Sequence, residues 1–436
     1  MDEEFEVLII GAGPAGITAA ITLARAGVEV VVLERGEYPG AKNVYGGILF
    51  THQLLKLLPD ANDNAPFERS VTRRRIGALS EGREVGMDVK VADWREKPYN
   101  HTVTALRGRF DRWYAEQAEA AGAQVFTGFM VSELLVEDGR VVGVKVQPGD
   151  EEMRAKVVIS AEGAQAFLAR KVGLMNPVLP QRHMISNVKE VIALPKEKLE
   201  DRFLLEGGEG VAMEYFGEPV KGHFGMGFVY TNEESVSIGV GLTVHDLIQS
   251  KETLNDHLEH FKNLPTIRKL IEGGETLEYA AHMIPEYGYS HLPKMTMPGL
   301  ILVGDTAGLI NGSVYHEGTN LASGSGIFAA ETIIEAKEHG HDIGSAEALA
   351  PYRQKLEASF ILKDMKKFRR MPDFFNQYPH ILKDYPGHVT QWLADYFTID
   401  ETPKEDVEKG ILKKIKKDIG LWKFIVDMMK VGRAVR

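Results

Sequence analysis

The segment VLIIGAGPAGITAAITLARAGVEVVVLER, Val7 to Arg35, leaves the chain little choice of fold. Val7 to Ile10 is a short apolar run that reads as a strand. Pro14 to Ala26 is rich in Ala and Leu and reads as a helix, and Val28 to Leu33 reads as a second strand ended by Glu34. Between them Gly11, Gly13 and Gly16 form G-x-G-x-x-G. In such a βαβ unit the first glycine allows the tight turn, the second lets backbone approach a pyrophosphate, and the third lets helix and strand pack closely. The free N–H groups and positive dipole end of the helix face the phosphates. Glu34 is placed to accept hydrogen bonds from an adenosine ribose, and its charge would repel a 2′-phosphate. The cofactor expected is FAD or NAD rather than NADP.

Later segments favour a flavin. In RGRFDRWYAEQAEAAGAQVF a helix is expected over Asp111 to Ala121 and a strand over Gln124 to Thr127, with Arg109 ahead of the helix where a guanidinium reaches the pyrophosphate or flavin. A strand over Val157 to Ser160 ends in Ala161-Glu162-Gly163, like a strand returning to the nucleotide domain. In ILVGDTAGLI, Asp305 sits inside an apolar run, and burying an unpaired carboxylate costs several kcal/mol (~). Donors from the ribityl chain of a flavin would remove that cost. GTNLASGSGIFAAETI follows and reads as a long helix whose N-terminus points at the flavin. No second complete G-x-G-x-x-G unit is read: the glycines at Gly225 and Gly239 lack a following helix, and Gly324 lies inside one.

Composition narrows the function. The 436 residues carry a net charge of -11, which argues against general nucleic-acid binding. Cysteine is absent, so thiol catalysis and Cys-ligated zinc or iron–sulfur clusters are excluded within this chain, and no metal site is expected. The acidic start MDEEFEVLII does not read as a signal peptide, and no run of about 18 apolar residues reads as a membrane span.

The expected fold is α/β: a discontinuous dinucleotide-binding domain of Rossmann type from 1–80, 100–165 and 290–345, an inserted β-rich substrate domain from 81–99 and 166–289, and a helical, partner- or membrane-facing region over 346–436. A hairpin is expected over Gly77 to Ala92, and another turning at Asn232 to Glu234. YRQKLEASFILKDMKKFRRMPDFF reads as one helix. Lys409 to Arg436 holds 9 Lys and Arg against 2 Asp, with Ile411, Ile415, Ile419, Trp422, Ile425 or Val426, and Met429 at helical spacing. This basic amphipathic helix, weakened at Gly420, suits an anionic membrane, the protein's own core or an acidic partner.

The motifs VLIIGAGPAGITAAITLARAGVEVVVLERG, GAKNVYGG, RGRFDRW, AEGA and LVGDTAGL occur in the order found in electron-transfer-flavoprotein:quinone oxidoreductases, and the chain resembles the FixC branch of that family. The resemblance implies FAD as cofactor, held by Gly11, Ala12, Gly13, Pro14, Ala15, Gly16, Glu34, Arg35, Lys42, Arg109, Val131, Gly304, Asp305, Gly318, Thr319 and Asn320. It implies electron transfer from an electron transfer flavoprotein, in bifurcating systems one that oxidises NADH, to a membrane quinone. It also implies a peripheral, monotopic attachment on the cytoplasmic side of the membrane. Single-chain members carry a cysteine-bearing 4Fe–4S domain; this chain departs from them, which favours a multi-subunit complex with a small ferredoxin-like 4Fe–4S subunit. The quinone site is expected at Gly225, Met226, Gly227 and Phe228, with Tyr287 and Gly288. The flavin does the chemistry, and His316 and Glu317 are the side chains placed to help a proton reach the quinone. The alternatives are a geranylgeranyl-reductase-type or aromatic-hydroxylase-type FAD enzyme, and a flavin-free protein that binds prenylated partners.

Overall fold

The computed structural model describes residues 4–41, 47–96, 100–178, 180–313 and 315–435. Among these, the strands form two sheets, of eight and nine strands. The first is built around the apolar runs. In spatial order it places Thr296–Met297, Leu300–Leu302, Glu151–Ser160, Glu4–Ile10, Val30–Glu34 and Gln124–Thr127 side by side. From Leu300–Leu302 to Gln124–Thr127 every neighbour is parallel, and an antiparallel pair, Met130–Glu137 and Arg140–Gln147, extends Glu151–Ser160. Parallel strands covered on both faces need continuous apolar runs. Val7, Leu8, Ile9, Val31, Val32, Val157, Val158, Ile159, Leu300 and Ile301 are accordingly all buried, each contributing about 1.5–3 kcal/mol of hydrophobic stabilisation.

Two helices cover one another beside this sheet: Pro14–Arg25 and Thr319–Glu338. Small residues let them meet. A Cβ at Gly326 would stand 2.3 Å from the Ala15 carbonyl oxygen; Gly16 instead packs the first helix against the glycine turn and strand, where a Cβ would stand 2.1 Å from the Gly11 carbonyl oxygen and 3.2 Å from Ile9.

The second sheet runs in the order Glu275–Pro285, Met184–Ala193, Ser235–Thr243, Gly225–Thr231, Glu209–Gly217, Phe67–Ser80, Thr102–Ala105 and Ile48–Phe50, with Arg83–Lys90 paired to Phe67–Ser80. Both expected hairpins form, as Phe67–Ser80 with Arg83–Lys90 and as Gly225–Thr231 with Ser235–Thr243. Strands Ile48–Phe50, Phe67–Ser80 and Thr102–Ala105 lie here, although residues 1–80 and 100–165 were expected in the nucleotide part. Their alternating pattern fits either sheet, and only long-range pairing, such as Glu214 opposite Ile76, decides between them.

The C-terminal part differs from expectation in its breaks. The single helix expected from Tyr352 is three: Pro351–Ala358, Phe360–Lys367 and Met371–Gln377. Ser359 ends the first and caps the second through the Ile361 N–H, and Pro372 sits at the start of the third. The final basic helix is likewise split into Lys404–Asp418 and Leu421–Ala434 at Gly420, which takes a φ of 89°. The expected apolar stripe divides with it. Ile415 packs inward, whereas Trp422, Ile425 and Met429 face outward. Phe368, Met371, Phe374, Ile381, Tyr385 and Ala434 form a small separate core. No helix among the described residues is long and apolar enough to cross a membrane.

Candidate functional site: a cofactor cradle opening onto an apolar cavity

A cavity of about 910 Å³ is lined by residues of both sheets and of the C-terminal helices. At one end stand Gly11, Ala12, Gly13, Pro14 and Ala15, then Glu34 and Arg35 at the end of the neighbouring strand, then Val131. Gly11 takes a φ of 100°, and a Cβ there would lie 2.4 Å from the Ala161 carbonyl oxygen. A Cβ at Gly13 would meet no protein atom within 4 Å, so the turn is open on its cavity side. Gly13 caps the helix without a side-chain hydrogen bond, which leaves N–H donors facing the cavity. Glu34 accepts from the Ala12 N–H at 3.0 Å and the Gly36 N–H at 2.6 Å, which fixes its carboxylate beside the turn.

The other end is built on the strand Leu300–Leu302 and the helix Thr319–Glu338. Asp305, Gly318 and Thr319 line the cavity there, and the helix again starts without a side-chain cap. No hydrogen bond from the described residues reaches the Asp305 carboxylate. Burial, eased only by the Arg107 charge, pushes its pKa up to about 6. Two open helix N-termini, a glycine cradle, a carboxylate held beside that turn and a carboxylate with no donor among the described residues together fit an FAD molecule.

Several expected residues serve the scaffold instead. Gly16 spaces helix and strand as described above. Gly304, at φ 57°, donates its N–H to Ser325 Oγ at 2.9 Å and lies against Ala15. Asn320 donates to Glu317 Oε1 and accepts the Gln53 N–H, so Glu317 and Asn320 hold each other outside the cavity lining. Lys42, and Asn43 to Gly46 of the GAKNVYGG motif, lie outside the described residues.

Arg109 is a correction. Its side chain is 72% exposed and stands 3.6 Å from Glu68, away from the cavity. The helix begins at Arg107, four residues earlier than expected. Two positions along a helix are about 200° apart, so Arg107 points inward where Arg109 points out. Arg107 lines the cavity and forms a buried pair with Asp111, 2.8 Å at each oxygen.

The apolar end of the cavity is lined by Phe224, Gly225, Met226, Met283, Ile284, Phe375 and Leu382. Of the residues expected at the quinone site, Gly225 and Met226 line the cavity. Gly227 faces Phe261 and Pro219 instead, and Phe228 stacks on Tyr230 at 4.9 Å inside the sheet's packing. Tyr287 is buried with its hydroxyl 2.7 Å from Arg170, and Gly288 lies against Pro372. These four do not line the cavity. Their neighbour Glu286 does, together with His316, Asn187 and His282. Burial, with help from the Arg107 and Arg35 charges, lowers His282 to about 4. Glu286 had no spacing or motif to mark it. Glu162, also on the wall, accepts from the Leu168 and Ala169 N–H groups and from Ser160, and so holds the helix Phe167–Lys171 in place.

The two-sheet fold with this cradle defines an FAD-dependent oxidoreductase, and residues 6–174 and 99–320 each match a family model described as FAD dependent oxidoreductase. The chain belongs to the ETF-QO/FixC family. Residues 371–436 match that family's C-terminal domain. The chain is 39% identical over 439 residues to Protein FixC of Azorhizobium caulinodans, covering 100% of both chains. It is 40% identical over 435 residues to the probable electron transfer flavoprotein-quinone oxidoreductase YdiS of Escherichia coli, again covering 100% of both. Among solved structures it is similar to a geranylgeranyl bacteriochlorophyll reductase-like protein of Thermoplasma acidophilum, with a TM-score of 0.73, 24% identity and 99% of each chain covered. It is also similar to the flavin-dependent brominase Bmp2, with a TM-score of 0.65, 16% identity, and 95% of this chain and 100% of that one covered. These two likenesses are of fold. The cofactor of this chain is FAD.

Proposed function

We propose that this protein passes electrons from an electron transfer flavoprotein, in a bifurcating system one that oxidises NADH, to a quinone at the membrane surface. The observation that supports this reading most is the continuity of one cavity from the FAD cradle to a wall of Phe224, Met226, Met283, Ile284, Phe375 and Leu382, apolar enough for a quinone ring. Bound FAD supplies the redox chemistry, taking electrons singly or in pairs and yielding them again.

The residues of the chain set up that exchange. The helix ends at Gly13 and Gly318 and the carboxylates of Glu34 and Asp305 orient the cofactor. The apolar wall excludes water and leaves room for a flat ring. Exposed Phe397, Ile399, Trp422, Ile425 and Met429, with Lys413, Lys416, Lys417 and Lys423 on the same helical region, suit a peripheral contact with an anionic leaflet on the cytoplasmic side. A cysteine-free chain suits a complex in which a ferredoxin-like subunit holds the 4Fe–4S clusters.

The test is direct. The holoprotein, reduced chemically or by an electron transfer flavoprotein, is mixed with a short-chain ubiquinone analogue, and the return of oxidised flavin absorbance is followed. Rapid reoxidation by the quinone supports the reading. Reoxidation only by oxygen, or only with saturation of a polyprenyl chain, overturns it.

A further inference from the structure

The wall between cradle and apolar pocket holds a group of titratable side chains that cofactor binding does not use. His316 follows the Asp305 turn in a left-handed backbone conformation, φ 47°, which is uncommon outside glycine and marks a constrained position. Its Nδ1 stands 3.4 Å from Glu214 Oε2, on strand Glu209–Gly217. Glu214 is buried, and its other neighbours are Arg74, 3.6 Å away on Phe67–Ser80, and the Tyr230 hydroxyl at 3.4 Å. Glu286 faces the same histidine from the end of Glu275–Pro285. Its carboxyl fits against Gly312, where a Cβ would come within 3.0 Å of Glu286 Cδ. His316 and Glu286 line the cavity; Glu214 stands behind His316.

We propose that Glu286 and His316 are the proton donors for quinone reduction in this cavity, and that Glu214 is the positioning residue behind His316. The proposal rests on the quinone reading above. Reducing a quinone to a quinol takes two electrons, here from reduced FAD, whose own N5 proton leaves to solvent as it is oxidised, and two protons, one on each ring oxygen. The two donors provide one each: the imidazolium of His316 becomes imidazole, and the carboxylic acid of Glu286 becomes carboxylate. Both are then reprotonated from solvent.

The charge states agree with that stoichiometry. Burial and the Arg74 charge act to lower the His316 pKa, but the adjacent Glu214 carboxylate outweighs them and raises it, with a smaller push from Glu286 when that group is ionised. Burial raises Glu286, with His316 acting against it. Glu214 is held below the usual carboxylate range: burial opposes ionisation, but the neighbouring His316 and Arg74 charges and the Tyr230 hydroxyl outweigh it. Two titratable groups, His316 and Glu286, thus stand on the cavity side with Glu214 behind His316, and both are shifted in the direction that favours their protonated forms. Delivery weakens as pH rises through the His316 pKa.

The test compares two oxidants of the chemically reduced holoprotein. A short-chain ubiquinone needs protons; ferricenium accepts one electron and needs none. Glu286→Gln and His316→Gln should each slow oxidation by the quinone at least ~10-fold at neutral pH, with oxidation by ferricenium within ~2-fold of wild type. Independently, the imidazole signal lost in His316→Gln should titrate above free histidine in the FAD-loaded wild-type protein and shift downward in Glu214→Gln. If wild type does not reduce the quinone, the quinone reading fails and the proposal with it. If wild type does, and both variants keep its rate and pH profile, the proposal alone is overturned. It is equally overturned if both oxidants slow together, or if the His316 titration does not respond to Glu214→Gln.

Discussion

Between Val7 and Ile10 every side chain is buried, whereas between Leu421 and Val435 only Asp427 and Ala434 are. The first segment lies at the centre of a parallel sheet, where apolar burial on both faces and glycine at fixed points determine the backbone almost residue by residue. The second lies over a core of six buried residues and is held by Ala434, Phe424 and Val431 packed on that core together with polar contacts to Asp427. The same chain thus joins a region in which local rules are binding to one in which they are permissive. A fixed cofactor needs the former, and a surface that meets other molecules tolerates the latter.

The sharpest way to break this contrast is at Gly16. A Cβ there would stand 2.1 Å from the Gly11 carbonyl oxygen, a backbone atom that cannot swing aside. Gly16→Val should cost well over ~3 kcal/mol and yield protein that neither folds nor turns yellow, by circular dichroism and flavin absorbance. Gly13→Val is the control, because the space beside Gly13 is open. It should fold with a stability within ~0.5 kcal/mol of the FAD-free wild type and still take up no FAD. Retention of stoichiometric FAD by Gly13→Val would refute the cradle.

Asp305 comes next. Loss of a hydrogen-bonded carboxylate is worth about 1.5–3 kcal/mol, so Asp305→Ala should bind FAD roughly 10- to 100-fold more weakly, measured by flavin fluorescence on titration. In the FAD-free protein the sign reverses. Burial raises the Asp305 pKa to about 6, above its unfolded value, so the folded state binds the extra proton and gains stability as pH falls through 6 towards 4. FAD-free Asp305→Asn should therefore melt higher than wild type at neutral pH, and the gap should close on acidification. A variant equally tight for FAD and unchanged in melting would show that Asp305 serves only the turn.

What the sequence made legible follows the same division. Gly11, Gly13, Glu34 and Asp305 each stand at a strand end or helix start, where one residue type solves a local problem, and the cavity contains three of them beside Gly11. Arg107 was hidden by an error of four residues in one helix start, enough to turn the wrong arginine inward. Glu286, Glu214 and Asn187 come together through long-range strand pairing, with Asn187 opposite Gly241 and His282 and Glu214 opposite Ile76, and neither composition nor periodicity marks them. In the C-terminal part the apolar spacing was correct but silent on direction. Ile415 faces in and Trp422 faces out because Gly420 breaks the helix between them.

The smallest effect is expected at Asp427, and it tests whether the two regions are energetically separate. Asp427 is 1% exposed, and its carboxylate receives His380 Nε2 at 2.8 Å, the Tyr385 hydroxyl at 3.0 Å and Lys430 Nζ at 3.3 Å, with Lys423 Nζ 3.4 Å away. Burial alone would raise its pKa, but the hydrogen bonds from His380, Tyr385 and Lys430 outweigh burial and hold it at about 2. A depressed carboxylate stabilises the folded state above its unfolded pKa, near 4, and the contribution is lost as pH falls from there towards 2. Asp427→Asn should thus cost on the order of 2 kcal/mol at neutral pH and nothing at strongly acid pH. Hydrogen exchange is the measurement that localises the cost: amides of 371–435 should exchange faster while those of Glu4–Ile10 and Glu151–Ser160 keep their protection. FAD affinity should stay within about twofold, since none of the partners of Asp427 belongs to the cradle. Should Asp427→Asn loosen FAD as strongly as Asp305→Ala, the C-terminal helices would have to be counted as part of the cofactor site, because Met371, Phe375 and Leu382 border the same cavity.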